Sequence, residues 1–438
     1  MKKLYIAGAV VLSMAACKPN IEPKAPERGD ADFSRYLAVG SSHTAGVTNG
    51  ALYVEGQMNS YPRMLSEQFK TVGGGDFKQP LVLGEHGWPI GKKILDYIQG
   101  PCDTMAYLTI TPFKGALDTA GTGLNIYSMG PFNNMGLPGA KITDYLVAGF
   151  GTQNRYAARM FNRPATARML EEIQNPAHTF FTAWLGMDDV MDYAVMGGEM
   201  PGAPFGHRGK LTDPYTFEFA YDSTVNVLTR NGAKGVLMNI PDILDMPFFR
   251  AIGPRTLQLD VVDANKLNLQ YNSTQVHFDV GMNYYVIEDT KEPNGFRQMR
   301  DGEIIRMDVP MDSIKCYGWG SVTPMPARYV LTSDEITNIQ QFTGWYNNAI
   351  SKIANHYNLP IADMRYYLKG VLDSGARYNG ARFNFDAING NFFSLDGIHF
   401  TGKGNALIAN SVINTINDYY KASIPYVDAN QYPGTKRP

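Results

Sequence analysis

Short apolar runs alternate along the chain with segments whose apolar residues recur at helical spacing. Residues Tyr36 to Val39, His178 to Leu185 and Gly235 to Ile240 are almost continuously apolar, which is typical of strands buried on both faces. Asp213 to Arg230, and the residues that follow Thr332, carry apolar positions three and four apart, which predicts helices. This alternation predicts an α/β fold with a parallel sheet joined by right-handed crossovers.

Weaker patterns complete this prediction. Gln79 to Leu83 predicts the second strand of the sheet, Leu359 to Ala362 its last strand, and Arg163 to Gln174 a helix. Thr332-Ser333-Asp334-Glu335 has the form of a capping box and begins a long helix. The segment after Thr401 predicts the final helix, because apolar residues share one of its faces.

Two turn-rich stretches, residues 84–129 and 241–326, interrupt the alternation. Structureless loops of that length are unusual inside a compact core, so both are predicted to be insertions that wall a site. The domain is predicted over residues 34–425, followed by a C-terminal tail over residues 426–438.

The first residues have the features of an export signal. Lys2 and Lys3 precede an apolar run that ends in Met14-Ala15-Ala16-Cys17, which is too short for a membrane-spanning helix. Small residues before a cysteine resemble a bacterial lipobox, so residues 1–17 predict a lipoprotein signal with lipidation at Cys17. The alternative is a plain signal peptide. Residues 18–33, rich in proline and charge, predict a flexible tether.

Composition excludes some classes of function. The 438 residues are 44% hydrophobic and 18% charged, with a net charge of −2, so no basic field is available to bind nucleic acid. The seven histidines are scattered, which predicts no protein-bound metal, and no cofactor motif is present. Cys102 and Cys316 are compatible with one disulfide in an exported protein, but their spacing leaves the pairing open.

The segment from Tyr36 to Gly46 carries the first candidate for chemistry. Its β-prone residues lead into Gly40-Ser41-Ser42, so Ser42 is expected at the carboxyl end of a parallel strand, where α/β sheets place their sites. A helix that begins there offers unpaired amides to developing negative charge. Ser42 is therefore the candidate nucleophile.

The complementary residues lie near the other end of the chain. Asp396-Gly397-Ile398-His399 places an acid and an imidazole three residues apart. Ser42, Asp396 and His399 therefore predict a serine hydrolase triad, in which His399 is the base and Asp396 orients it. Asp363, at the end of the last predicted strand, is a lesser candidate acid.

Four blocks in this order resemble the SGNH hydrolase superfamily, the Gly-Asp-Ser-Leu esterases and lipases. The resemblance covers Tyr36 to about Tyr420, apart from the two insertions. It implies a flavodoxin-like, three-layer α/β/α fold, with Ser42 as nucleophile and its own N–H as an oxyanion donor. Ser41 stands where the family has Asp, and His43 where it has Leu. As a rival base, His43 is poorly placed, because it is adjacent to Ser42.

The resemblance also assigns the other oxyanion donors. A glycine N–H is expected from the second block, where Gly139 fits best and Gly136 is the alternative. The third block, Gly-x-Asn-Asp in the family, reads Gly186-Met187-Asp188-Asp189, so Asp188 replaces the donor asparagine. An ionised carboxylate only accepts hydrogen bonds, so Asp188 would have to be protonated to act as a donor.

The sequence therefore predicts a secreted, lipid-anchored serine hydrolase that cleaves carboxylic esters of lipid, acyl or acetylated-glycan substrates through an acyl-enzyme. Its expected location is the cell envelope, anchored to the outer membrane. The alternative is a catalytically weak or inactive binding lipoprotein with the same fold, which serves an outer-membrane transport complex and has a transporter protein as its partner. Ser41, His43 and Asp188 favour this alternative, and the intact triad favours the enzyme.

Overall fold

The computed structural model describes residues 25–117, 122–174, 177–198 and 209–438. The strands in these ranges are β1 (Tyr36–Gly40), β2 (Lys93–Ile98), β3 (Tyr107–Pro112), β4 (Asn134–Gly136), β5 (Phe180–Trp184), β6 (Lys234–Met238), β7 (Leu257–Leu259), β8 (Gly281–Asn283), β9 (Val286–Glu288), β10 (Phe296–Gln298), β11 (Ile304–Ile305), β12 (Val330–Leu331), β13 (Ile361–Ala362), β14 (Ala376–Tyr378) and β15 (Ala381–Phe383). The α-helices are α1 (Ser42–Ala45), α2 (Val54–Met58), α3 (Tyr61–Lys70), α4 (Arg155–Met160), α5 (Met169–Glu172), α6 (Asp188–Val195), α7 (Pro214–Leu228), α8 (Val261–Gln270), α9 (Met311–Lys315), α10 (Ser333–His356), α11 (Met364–Ser374) and α12 (Gly402–Tyr420). Short 3₁₀ helices include Ile142–Leu146.

The central sheet has five parallel strands in the order β13-β6-β5-β1-β4. Counted along the chain, this is the order 2-1-3-4-5 of flavodoxin-like sheets. The predicted α/β fold with a central parallel sheet is confirmed. The direction of the connections reverses between β1 and β5, so a cleft is expected outside the carboxyl ends of these two neighbours.

Helices cover both faces of the sheet. Phe180 on β5 contacts the rings of Phe69 on α3 and Tyr420 on α12. Because crossovers are right-handed and the direction of the connections reverses between β1 and β5, the helices that connect β5 to β6 and β6 to β13 lie on the opposite face. There Phe217 of α7 stacks on Tyr346 of α10, with ring centroids 4.0 Å apart.

The apolar runs found in the sequence are the buried strands. Every residue of β1 and β5 is buried, as expected for strands covered on both faces. The capping box is also present, because the Thr332 N–H donates to the Glu335 carboxylate at 2.7 Å and α10 begins there.

The second strand of the sheet is not where it was predicted. It is β4, whereas Gln79 to Leu83 contains no strand. In that segment side chains replace a strand ladder: the Pro80 and Leu81 carbonyls accept hydrogen bonds from Arg159, and the Val82 N–H donates to Gln57. The predicted helix over residues 163–174 is likewise reduced to α5.

The two predicted insertions contain small hairpins rather than strands of the main sheet. Residues 84–129 hold the β2–β3 pair, and residues 241–326 hold most of the pairs from β7 to β12. A disulfide between Cys102 and Cys316 joins the two insertions, with Cα atoms 5.7 Å apart. Among the helices of the described ranges, none is long and apolar enough to cross a membrane.

The segment predicted as a tether, residues 18–33, is described from residue 25 onward, and this part packs on the domain. Phe33 is 1% exposed and stacks on Phe69. The Ser423 N–H donates to the Glu27 carbonyl at 2.8 Å, just beyond the end of α12. In the described part of this segment, Ala31 and Phe33 are therefore part of the buried core, whereas residues 25–30 are exposed. Cys17 and the predicted signal lie outside the described residues.

The C-terminal tail, residues 426–438, also packs on the domain. Val427 and Ala429 are buried, and the Lys436 ammonium lies 2.6 Å from the Glu55 carboxylate.

Candidate functional site

Ser42 begins a very short helix at the carboxyl end of β1. Ser41 is the N-cap of α1, and Gly46 ends it with a positive φ of 87°. A Cβ atom on Gly40 would lie 2.1 Å from Thr44 Oγ1 and 2.7 Å from the Trp184 carbonyl, so the turn requires glycine there. Ser42 is partly exposed between buried neighbours, and the first amides of a helix have no intrahelical acceptor.

Asp396 and His399 form a close pair on the loop before α12. His399 Nδ1 lies 2.6 Å from Asp396 Oδ2. The other carboxylate oxygen accepts hydrogen bonds from the Ser394 hydroxyl at 3.0 Å and from the Ile398 and His399 N–H groups at 2.9 Å. Burial opposes ionisation, but the His399 imidazole and these hydrogen bonds hold the pKa of Asp396 well below its usual range. Asp396 is therefore an ionised acceptor.

This pairing fixes the role that His399 is able to take. A carboxylate at Nδ1 keeps the proton on that nitrogen, so Nε2 carries the lone pair. Nε2 is buried and has no hydrogen-bond partner in the part of the chain that the structure describes. The imidazole therefore has a free basic nitrogen, as a general base requires.

Several hydrogen bonds join the residues after Ser42 to the residues around His399. The Thr48 hydroxyl donates to the Phe400 carbonyl at 2.6 Å. The Asn49 N–H donates to the Ser394 hydroxyl at 2.9 Å, and Asn49 Oδ1 accepts the Leu395 N–H at 3.0 Å. Two segments that are about 350 residues apart in sequence are thus held side by side.

His43 occupies the space beside the pair without taking part in it. Its ring lies 4.7 Å from the His399 ring, and its Nε2 lies 3.1 Å from the Ile398 carbonyl, to which it donates. Burial, together with the nearby His399, lowers the pKa of His43 to about 3. His43 is therefore a neutral packing residue, which agrees with its rejection as the base.

The turn that carries Gly139 lies directly beside β1. The Leu137 N–H donates to the Gly40 carbonyl at 2.9 Å, and the Ala140 N–H donates to the Leu137 carbonyl at 3.1 Å. Gly139 has a φ of 73° after Pro138, as the third position of a type II turn requires. The Gly136 N–H, the alternative donor, is already bonded to Asn134 Oδ1 at 3.0 Å.

Asp188 begins α6 at the carboxyl end of β5 and is 9% exposed. Burial raises the pKa of Tyr145 well above its usual value, and the neighbouring Asp188 carboxylate raises it further. Asp188 therefore lies close to the Tyr145 phenol. The Tyr145 hydroxyl donates to the Gly40 carbonyl at 3.2 Å. Asp188 is thus near the end of β1, on the side of the Gly139 turn.

Asp189, the next residue, links the Gly139 turn to the start of α6 through hydrogen bonds. Its carboxylate accepts the Ile142 N–H at 2.9 Å and the Thr212 hydroxyl at 2.5 Å. Burial raises the pKa of Asp189 to about 7, although these two hydrogen bonds favour its charged form. Asp189 therefore holds the segment after the Gly139 turn against the start of α6.

Asp363 is separate from this arrangement. Its carboxylate caps α11 by accepting the Tyr366 N–H at 2.9 Å and also accepts the Asn239 amide at 2.8 Å. The acid paired with His399 is Asp396.

Both insertions lie near the Asp396–His399 loop, and the second is in direct contact with it. The Phe248 N–H donates to the Gly397 carbonyl at 3.1 Å, and a Cβ atom on Gly397 would lie 2.7 Å from the Phe248 nitrogen. On the other side, Lys93 of β2 approaches Gly50, which lies against Asp396. The disulfide therefore joins two insertions that flank the same loop.

Sequence reasoning missed the residues that support the pair, above all Asn49 and Ser394. The only available signal was the Asn49-Gly50 dipeptide, which is typical of a turn; Asn49 indeed has a φ of 53°. Nothing in the sequence connects that turn to Ser394. Within the described ranges, no cluster of three or more His, Cys, Asp or Glu side chains is arranged to hold a metal.

Comparison with known proteins adds little to these observations. No family model matches the chain, and no curated relative matches it. Among solved structures, LAE5, an α/β hydrolase enzyme from the metagenome of Lake Arreo, Spain, is 10% identical with a TM-score of 0.35, covering 88% of this chain and 96% of that chain. An extracellular lipase from Streptomyces rimosus is 11% identical with a TM-score of 0.34, covering 88% and 98%. Both TM-scores are too low for either likeness to carry an argument.

Proposed function

We propose that this chain is a serine hydrolase that cleaves carboxylic esters with Ser42 as nucleophile, His399 as general base and Asp396 as the acid that orients it. The observation that carries the proposal is the 2.6 Å contact between His399 Nδ1 and Asp396, together with the unpartnered Nε2 on the other side of the same ring. Three further donors to Asp396 keep it ionised, as this role requires.

The proposed reaction has two halves. His399 Nε2 takes the hydroxyl proton of Ser42 as Oγ attacks the ester carbonyl, and then gives it to the departing alcohol, which leaves an acyl group on Ser42. Water attacks the acyl-enzyme with His399 again as base, and the carboxylic acid is released. The hydrogen bonds from Thr48 and Asn49 to the loop of His399 support this pairing, because they hold the two segments side by side.

We assign the oxyanion donors to the N–H groups of Ser42 and Gly139 and to the side chain of Asp188. Asp188 is nearly buried and lies close to Tyr145, and only a protonated carboxyl is able to donate a hydrogen bond to an oxyanion. If it acts in this way, activity should be highest at mildly acidic pH. A rate that rises with pH to a plateau, without a decline above neutrality, would count against Asp188 as a donor.

We further propose export and lipid anchoring at Cys17, with the protein held on the outer membrane of the cell envelope. The disulfide between Cys102 and Cys316 supports export, since such bonds persist in oxidising compartments. The insertions at residues 84–129 and 241–326, which flank the Asp396 loop, are the proposed determinants of whether lipid, acyl or acetylated-glycan esters are accepted. No cofactor is needed for this chemistry.

A second candidate function is a binding lipoprotein with little or no catalysis, partnered by an outer-membrane transporter. The observation that favours it is Asp188, since an ionised carboxylate in place of an asparagine would repel an oxyanion. Loss of one oxyanion donor typically lowers the rate by about 10² to 10³.

A fluorophosphonate probe separates the two candidates. The chain lacking residues 1–17 is treated with the probe, alongside Ser42→Ala and Asp188→Asn. The hydrolase predicts labelling of the wild type, none in Ser42→Ala, and faster labelling in Asp188→Asn. Absence of labelling in the folded wild type between about pH 5 and 8, the range in which a histidine base titrates, would favour the binding lipoprotein.

A further inference from the structure

A cavity of about 240 Å³ lies beside the Asp396 loop. It is bounded by α2, the start of β2, residues 394–395, the beginning of α12 and the C-terminal segment. Neither Ser42 nor His399 lines it, so it is distinct from the proposed catalytic pair. At about 30 Å³ per water molecule, it has the volume of about eight water molecules, enough for a small ligand of comparable size.

The charged groups around this cavity are mostly cationic. Lys92, Lys93, Lys436 and Arg437 line it, and the only carboxylate side chain among its lining residues is that of Glu55. Glu55 is already paired with Lys436, at 2.6 Å. The cavity therefore has a surplus of positive charge, which favours an anionic occupant.

Of the four cations that line the cavity, Lys93 is the one best placed to bind an anion. Lys92 lies over the Tyr53 ring, with its ammonium 4.4 Å from the ring centroid, and Arg437 donates to the side chain of Asn389. Among the residues that the structure describes, Lys93 has no ion-pair partner. Its backbone N–H donates to the Asn49 carbonyl at 2.7 Å, which fixes the start of β2 at the cavity wall.

The rest of the wall determines what kind of anion fits. Tyr53, Leu95 and Pro433 present apolar surface beside the cations. A short apolar chain with one charged end matches this combination better than a compact, fully polar ion does. We propose that this cavity binds a small organic carboxylate, whose charged end is held by Lys93.

The cavity shares its wall with the groups that hold Asp396. Asn49 lines the cavity, donates to the Tyr53 hydroxyl through its amide at 2.9 Å, and donates to the Ser394 hydroxyl through its N–H. Ser394 in turn donates to Asp396. A carboxylate bound against Asn49 therefore perturbs the hydrogen bond between Asp396 and His399.

The binding test is a calorimetric titration of the full chain with butyrate at constant ionic strength, alongside inorganic phosphate and uncharged butyramide. The expected result is one saturable butyrate site, with weaker binding of the other two probes. Lys93→Gln should weaken butyrate binding about tenfold, the effect of losing one charge-assisted hydrogen bond. The control is Lys266→Gln, which removes a lysine charge from α8 at a position that does not line the cavity.

Failure of the binding proposal is distinguishable from failure of the proposed hydrolase function. Ser42→Ala should bind butyrate as the wild type does, whether or not the chain is a hydrolase. Binding that is unchanged in Lys93→Gln, lost in Ser42→Ala, or stronger for phosphate than for butyrate would overturn the proposal.

Proton NMR gives a second readout. Saturating butyrate should shift the resonance of the His399 Nδ1 proton in the wild type and leave it unmoved in Lys93→Gln. A resonance that stays in place in the wild type would refute the link between the cavity and Asp396.

Discussion

Two buried aspartates, on opposite sides of the candidate site, respond to burial in opposite ways. Asp396 receives hydrogen bonds from three groups besides the His399 imidazole, and its pKa lies well below the usual range. Asp189 receives two, from Ile142 and Thr212, and its pKa rises to about 7. Burial is similar, so the number of donors and the neighbouring imidazole decide which acid stays ionised. Asp396 is thus held in its ionised form, while Asp189, on the side of the Gly139 turn, titrates near neutrality.

Asp396→Asn should have the largest effect. An amide at this position no longer fixes the proton on His399 Nδ1, so kcat for a p-nitrophenyl ester should fall by about 10⁴. Asp363→Asn, which alters the lesser candidate acid, is the matched control and should leave kcat within a few-fold of the wild type. If kcat instead falls strongly in Asp363→Asn and stays near the wild-type value in Asp396→Asn, the assignment of Asp396 as the acid is wrong.

Asp188→Asn should change the rate in the other direction. An asparagine restores a neutral donor, so kcat at about pH 8 should rise by about 10². Asp192→Asn, one turn further along α6, controls for loss of a buried charge on the same helix. An equal rise in both variants would show that charge, rather than donation to the oxyanion, limits the reaction.

Asp189→Asn tests the titration of Asp189 through the pH dependence of the free energy of unfolding. Because its folded pKa is raised above the unfolded value, the folded protein holds this proton more tightly, and stability should decrease as the pH rises from about 4 to about 7. The slope is at most about 1.4 kcal/mol per pH unit. Urea unfolding across this range should show a flatter profile in Asp189→Asn than in the wild type. The exposed Asp279→Asn should retain the wild-type profile; if it flattens equally, Asp189 is not the source.

His43→Leu should have the smallest effect. The imidazole is neutral and donates one hydrogen bond to Ile398, so its replacement should cost about 1 kcal/mol of stability. Fluorophosphonate labelling should proceed at nearly the wild-type rate. A loss of labelling comparable to that in His399→Ala would show that His43, not His399, is the base.

The elements that could be predicted from the sequence are those whose stabilising contacts leave a local pattern in the chain. The β5 strand was visible as a continuous apolar run, and α10 was visible through its local capping box. The short strand β4 was not, because its polar Asn134 is satisfied by the Thr44 carbonyl and Gln79, far away in sequence. Local patterns report burial and caps, but they do not report which distant group completes a hydrogen bond.

The same distinction applies to the site. Asp396 and His399 are three residues apart, so their pairing was predictable from spacing, and the structure brings them together. Their supports, Asn49 and Ser394, meet only through the fold. The roles of Ser42, Gly139 and Asp188 remain predictions for the experiments above.

The packing of residues 25–33 beside the end of α12 has a consequence for orientation. The Asp396–His399 loop precedes α12, whereas Glu27 is bonded to Ser423 just beyond its other end. A helix of 19 residues is about 28 Å long. The described chain therefore enters the domain at the end of α12 that is remote from the loop, so the N-terminal end of the described chain and the proposed catalytic pair lie at opposite ends of this helix.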